Sequence, residues 1–142
     1  MSSPFAVFLR DLRLRSNLRQ HELAELLGYE QAYVSALELG TRGASKELLD
    51  ALIARMSLSD KDQVALRQAV SESARRFVLP AAVPTDTYRF CHELWEKIGD
   101  LHPAVIQAMR ELVRLEDVMS DQPRSPLYRR RHRTTKQREA EM

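Results

Sequence analysis

A single cysteine, Cys91, cannot close an intrachain disulfide, and without a cysteine pair there is no zinc-finger spacing. The reducing cytoplasm is the expected compartment. Four glycines and 6% aromatic residues leave little material for sheets and hairpins, whereas 44% hydrophobic and 30% charged residues give a globular balance. An all-α fold is expected. The longest apolar runs are a few residues, against the roughly 20 that span a bilayer, and the N-terminus lacks the basic flank and apolar core of a signal peptide. No export or membrane role is expected. His21, His92, His102 and His132 are scattered without the i, i+4 spacing of a helical zinc site, and no Ser-His-Asp, paired-carboxylate or phosphate-loop constellation stands out. Neither a metal, a cofactor nor catalysis is therefore expected.

What charge there is sits unevenly. The net charge is +2, but from Ser120 onward there are seven Lys/Arg against three Asp/Glu, so the preceding body carries fifteen against seventeen. Net charge is thus a weak argument for a nucleic-acid partner, and motif and placement must carry any such case.

At 142 residues the chain has room for one ordinary domain, or a small one with a helical extension. Pro4, in a first turn, and the spacing of Phe5, Val7, Phe8, Leu9, Leu12 and Leu14 predict a helix to about Ser16, ended by Asn17. A second helix runs from Gln20 to Leu27, Gly28 makes the turn, and a third covers Gln31 to Leu39 before Gly40. Ser45 is an N-cap candidate for a fourth helix with Leu48, Leu49, Leu52 and Ile53 on one face. Ser59 and Asp60 introduce a fifth carrying Val64, Leu66, Val70 and Ala74. Two prolines in 79–84 mark a linker. A sixth helix from Asp86 carries Tyr88, Cys91, Leu94, Trp95 and Ile98, and a seventh from Pro103 carries Val105, Ile106, Met109, Leu112, Val113 and Met119. The expected organisation is a five-helix domain over 1–78, a linker over 79–85, a helical hairpin over 86–119 and a basic, disordered tail over 120–142. The apolar faces of the hairpin exceed what two helices can hide, so they must pack on the fifth helix or on a second copy.

The second and third helices carry the informative motif. Gln20-His21-Glu22-Leu23-Ala24, then Gly28, then Val34-Ser35-Ala36-Leu37-Glu38-Leu39-Gly40 resembles the pattern of the XRE, or lambda-repressor-like, helix-turn-helix family over roughly residues 5–56. Beyond residue 80 no family is recognised. The helical period agrees: with Val34 at the centre of a buried face, Glu30, Leu37 and Glu38 lie on that side and Ala32, Ala36 and Leu39 opposite. Small side chains on an exposed face let a helix backbone approach the major groove.

The resemblance implies double-stranded DNA as partner. Gln31, near the start of the third helix, can offer its amide to adenine N6 and N7, and Ala36 suits a thymine methyl. It further implies that Gln20 holds a phosphate and braces Gln31, that Ser35 and Tyr33 reach base edges or phosphate oxygens, and that Arg42 and Lys46 hold the DNA backbone. Tyr33 can instead simply cover the domain surface. An Arg13–Glu38 ion pair between the first and third helices is implied as a structural link. Three departures stand out: Arg19 replaces the Ser/Thr usual as cap of the second helix, Gly43 and Ala44 stand near a common proline, and Glu30 brings a negative charge to the DNA edge.

These readings lead to a sequence-specific transcriptional regulator in the cytoplasm, on the nucleoid. A repressor acting as a homodimer on an inverted repeat is expected, with Trp95, Ile98, Ile106, Met109, Leu112 and Val113 as the dimer contact. The alternative is an adaptor or antitoxin-type protein that uses the same scaffold and binds another protein through its C-terminal helices. Cys91, among large apolar neighbours, reads as a buried structural thiol, with a redox switch or intersubunit disulfide as the other reading. The tail arginines contact phosphates or merely solubilise.

Overall fold

A computed structural model describes residues 3–120, among which there are seven helices and no strand. They are α1 (Pro4–Arg15), α2 (Gln20–Leu27), α3 (Gln31–Leu39), α4 (Lys46–Arg55), α5 (Asp60–Glu72), α6 (Thr85–Lys97) and α7 (Pro103–Met119). The chain divides between Leu79 and Pro80 into two units. The basic stretch over 121–142 lies outside the described residues.

In the first unit, serines start α1, α4 and α5, and left-handed residues follow α1 to α4. Ser3, Ser45 and Ser59 each accept a backbone N–H from the first turn of the helix that follows, at 3.2 Å in every case. Asn17 (φ 55°), Gly28 (φ 78°), Gly40 (φ 78°) and Ser57 (φ 48°) close α1 to α4. After α2, Gly28 N–H donates to the Glu25 carbonyl at 3.2 Å and Tyr29 N–H to that of Ala24 at 2.9 Å, the paired bonds of a Schellman closure. After α3, Gly40 and Thr41 repeat this on the Leu37 and Ala36 carbonyls, each at 3.1 Å. The sequence punctuation acts through local backbone geometry.

The core forms where the apolar faces meet: Phe5, Leu9 and Leu12 of α1, Leu23 and Leu27 of α2, Val34 and Leu37 of α3, Leu48 and Leu52 of α4, and Leu66 of α5. α1 packs on α3 and α5, and α2 on α3 and α4. Ser73, just past α5, closes the bundle; its hydroxyl accepts from Phe5 N–H at 2.9 Å and donates to the Ala69 carbonyl at 2.6 Å. One face of α5 differs from its expected form. Val64 is 66% exposed and Ala74 is exposed beyond the helix end. Leu66, Ala69, Val70 and Ser73 share the inward stripe because steps of three and four residues return to one side, whereas Val64 stands about 200° around the helix from Leu66.

In the second unit, Pro84 caps α6, and Pro103 begins α7, where the missing N–H costs nothing. Neither helix contains a buried residue. Leu94, Ile98, Leu101, Ile106, Met109 and Val113 line an apolar groove edged by Arg110 and Arg114. Cys91 is half-exposed, which corrects the buried thiol expected from its apolar neighbours. An apolar stripe buries a thiol only when something covers the stripe.

Gly28 provides a test of how the turn is held. A Cβ there would meet nothing within 4 Å, so only the positive φ penalises a side chain. Gly28→Ala is expected to lose ~1–2 kcal/mol in urea unfolding, and Gly28→Asn less, because Asn tolerates the left-handed region. Equal stability of Gly28→Ala and wild type would show that the turn relaxes to another conformation.

Candidate nucleic-acid interface

The turn from Gly28 to Glu30 sets α3 across α2, and α3 then divides its surface between two tasks. Val34 and Leu37 are fully buried and Glu38 is 1% exposed, so that side is committed to packing. Gln31, Ala32 and Leu39 are exposed, with Ser35 and Ala36 half-exposed. Glu30 is an exposed N-cap rather than a member of the inward side, since its backbone leaves the helical path before the first turn.

A charged cluster fixes the inward side. Arg13 Nε donates to Glu38 Oε1 at 2.6 Å and Nη2 to Oε2 at 3.1 Å, a bidentate pair between α1 and α3. The remaining arm, Nη1, donates to the Leu18 carbonyl at 3.0 Å. Gln20 Nε2 donates to Glu38 Oε2 at 2.9 Å, and Arg10 Nε stands 4.0 Å from the same oxygen. Burial by itself raises the Glu38 carboxyl, but the hydrogen bonds from Arg13 and Gln20, with the charges of Arg13 and Arg10, outweigh it and hold it below the ordinary value. Its hydrogen bond to Glu38 chiefly raises Arg13, against the opposing effect of burial.

Among the described residues no hydrogen bond joins Gln20 to Gln31; the Gln20 amide turns inward to Glu38, because a buried carboxylate is a stronger acceptor than a neutral amide at the surface. Arg19 has no acceptor with which to cap α2, so half a capping box forms: its backbone N–H donates to Glu22 Oε2 at 2.6 Å.

Tyr33 is half-buried against the core and its ring lies 4.8 Å from that of Tyr29, centroid to centroid. Arg42 Cζ stands 5.6 Å from the Tyr33 centroid. Lys46 opens α4, exposed, with Ser45 as cap. Thus α3 and the loop after it bring Gln31, Ala32, Ser35, Ala36 and Arg42 to the outer region of one short element, while Gln20 belongs to the cluster beneath. Sequence reasoning missed Tyr29 and Arg10. Their signals were the i, i+4 spacing of Tyr29 to Tyr33 and the i, i+3 spacing of Arg10 to Arg13.

Of the residues expected at a dimer contact, Trp95 is 68% exposed and Val113 72%, with Ile98, Ile106 and Leu112 also exposed and Met109 half-buried. No group of three or more His, Cys, Asp or Glu side chains is placed to hold a metal ion among the described residues. No described helix is long and apolar enough to cross a membrane.

Residues 4–66 match a family model described as a helix-turn-helix domain, a span that contains α2, the Gly28 turn and α3. This segment is a helix-turn-helix domain, which points to a DNA-binding regulator. No curated protein and no solved structure matches the chain.

The cluster yields two measurements. Arg13→Ala is expected to cost about 3–5 kcal/mol in urea unfolding, because it strands a buried carboxylate. The folded carboxyl is depressed, so its stabilisation is present above the unfolded carboxylate value, about pH 4, and is lost as pH falls through the lower folded value. The stability advantage of wild type over Glu38→Gln should therefore shrink on acidification below that range. A constant advantage down to the acid limit of folding would mean that Glu38 is not held ionised by its donors.

Proposed function

We propose that this protein is a sequence-specific transcriptional regulator that reads duplex DNA with α3 and represses as a homodimer on an inverted repeat. The observation that carries the reading is the division of α3: its inner side is fixed by Val34, Leu37 and Glu38, while Gln31, Ala32 and Ala36 offer an outer side of small and amide-bearing residues. Gln31 suits a bidentate contact to adenine, Ala36 a thymine methyl, and Ser35 a base edge or phosphate. Arg42 and Lys46 suit phosphates. Gln20 serves by bracing α3 through Glu38.

Dimerisation is supported by the exposed faces of α6 and α7. Burying a Trp, Ile, Leu or Val is worth roughly 1.5–3 kcal/mol before association costs, so a few such residues decide the association state. Two copies would set their recognition helices about 34–36 Å apart, or a multiple of that spacing. Repression is the simpler output, since a dimer covering a promoter needs no polymerase-contacting surface.

Footprinting on selected genomic fragments would identify the operator. On operator variants, Gln31→Ala should lose ~1–3 kcal/mol of discrimination at one base pair. Unchanged relative preferences would remove Gln31 from the readout. The paired substitution Trp95→Ala and Leu112→Ala should lower the sedimentation mass toward a monomer and weaken palindrome binding. Wild type sedimenting as a monomer at roughly tens of micromolar would defeat the dimer and favour a different protein on the same faces.

A further inference from the structure

The outer end of α3 carries a stack that the assignment of individual residues does not explain. Tyr29 and Tyr33 are both half-buried against the core, with ring centroids 4.8 Å apart and planes inclined at 37°. Arg42 stands over the far ring at 5.6 Å. The Arg42 backbone is fastened as well: its N–H donates to the Ala36 carbonyl at 3.3 Å, and Thr41 donates to the same oxygen through its N–H and its hydroxyl, each at 3.1 Å. The side chain is therefore held at its base by the closure of α3 and at its head by an aromatic face. Among the described residues its guanidinium makes no hydrogen bond or ion pair with protein.

A guanidinium over a ring is attracted through its face and keeps the N–H donors along its edge unused. Those edge donors match two oxygens of a phosphodiester. We propose that Tyr29, Tyr33 and Arg42 form a prebuilt phosphate clamp, in which Arg42 holds one DNA phosphate beside the recognition helix. Tyr33 is a positioning residue for Arg42 and does not itself read a base. The inference rests on the DNA-binding reading above. It commits the Tyr33 ring, not its hydroxyl, to the role.

The test uses full-length protein and random-sequence duplex DNA, with affinity measured across a KCl series. Arg42→Ala should flatten the slope of log affinity against log salt by about 0.9, the share of one phosphate. Tyr33→Phe keeps the ring and should bind as wild type does. Tyr33→Leu should weaken binding about two- to fivefold, and on an Arg42→Ala background should add no further loss. A merely structural role for Tyr33 would instead give additive losses.

If Tyr33→Leu does not fold, Arg42→Lys decides: it keeps the charge and therefore the salt slope, but lacks the flat guanidinium that lies over the ring, and should also bind about two- to fivefold more weakly. Tyr33→Phe binding as poorly as Tyr33→Leu, additive losses, or Arg42→Lys equal to wild type each overturn the clamp while DNA binding stands. Wild type that binds no duplex at any salt overturns the DNA-binding reading itself, and the clamp with it.

Discussion

A glutamate with 1% of its surface exposed keeps its charge only where donors surround it, and Glu38 draws them from two other helices. Arg13 comes from α1 and Gln20 from the start of α2, while Arg13 also reaches the Leu18 carbonyl between them. The first three helices are thereby tied at one point. Replacing such a pair with apolar residues can leave stability unchanged, so its value lies in geometry more than in energy. Two parallel N–H···O bonds fix the rotation of α3 about its own axis as well as its distance from α1. Val34 and Leu37, alone, would tolerate small rotations.

That rotation matters because α3 is only nine residues long and uses its whole circumference. One residue of misregister turns a helix by about 100°, enough to exchange Ala32 and Ala36 for side chains that belong to the core. The C-terminal closure adds a second constraint. The Ala36 carbonyl accepts from the loop, so the residue whose methyl group suits the outer face also anchors the chain that carries Arg42. Surface composition and loop position are set together.

Much of this was legible in the sequence because it is local. Serines before apolar runs, Asn17, and glycines after such runs act through the nearest few residues, so the helices and the helix-turn-helix could be read from them. The Arg13–Glu38 pair was accessible only through the resemblance, since their partnership spans 25 residues. The inward bond of Gln20 was not legible: a solvated amide and a half-buried one look alike until the distance to Glu38 is known. Val64 failed for a related reason, because α5 is amphipathic enough for several stripes and only the position of α1 selects the buried one. Tyr29 stands in the turn before α3, so its i, i+4 spacing to Tyr33 was easily passed over.

The two units differ in how far they satisfy themselves. The first buries an apolar core drawn from all five of its helices and pairs its one buried carboxylate, and no buried side-chain nitrogen or oxygen lacks a partner among the described residues. The second has strongly patterned helices with nothing buried on them. Isolated helices of 13 and 17 residues are marginal in water, because nucleation and backbone ordering consume what their own hydrogen bonds supply. Their apolar groove therefore has most to gain from a partner surface. Under the dimer reading, ordering of these helices and association become one equilibrium, and the population able to grip two half-sites rises with protein concentration. A repressor built this way would sense its own abundance through the second unit while the first keeps the reading face fixed.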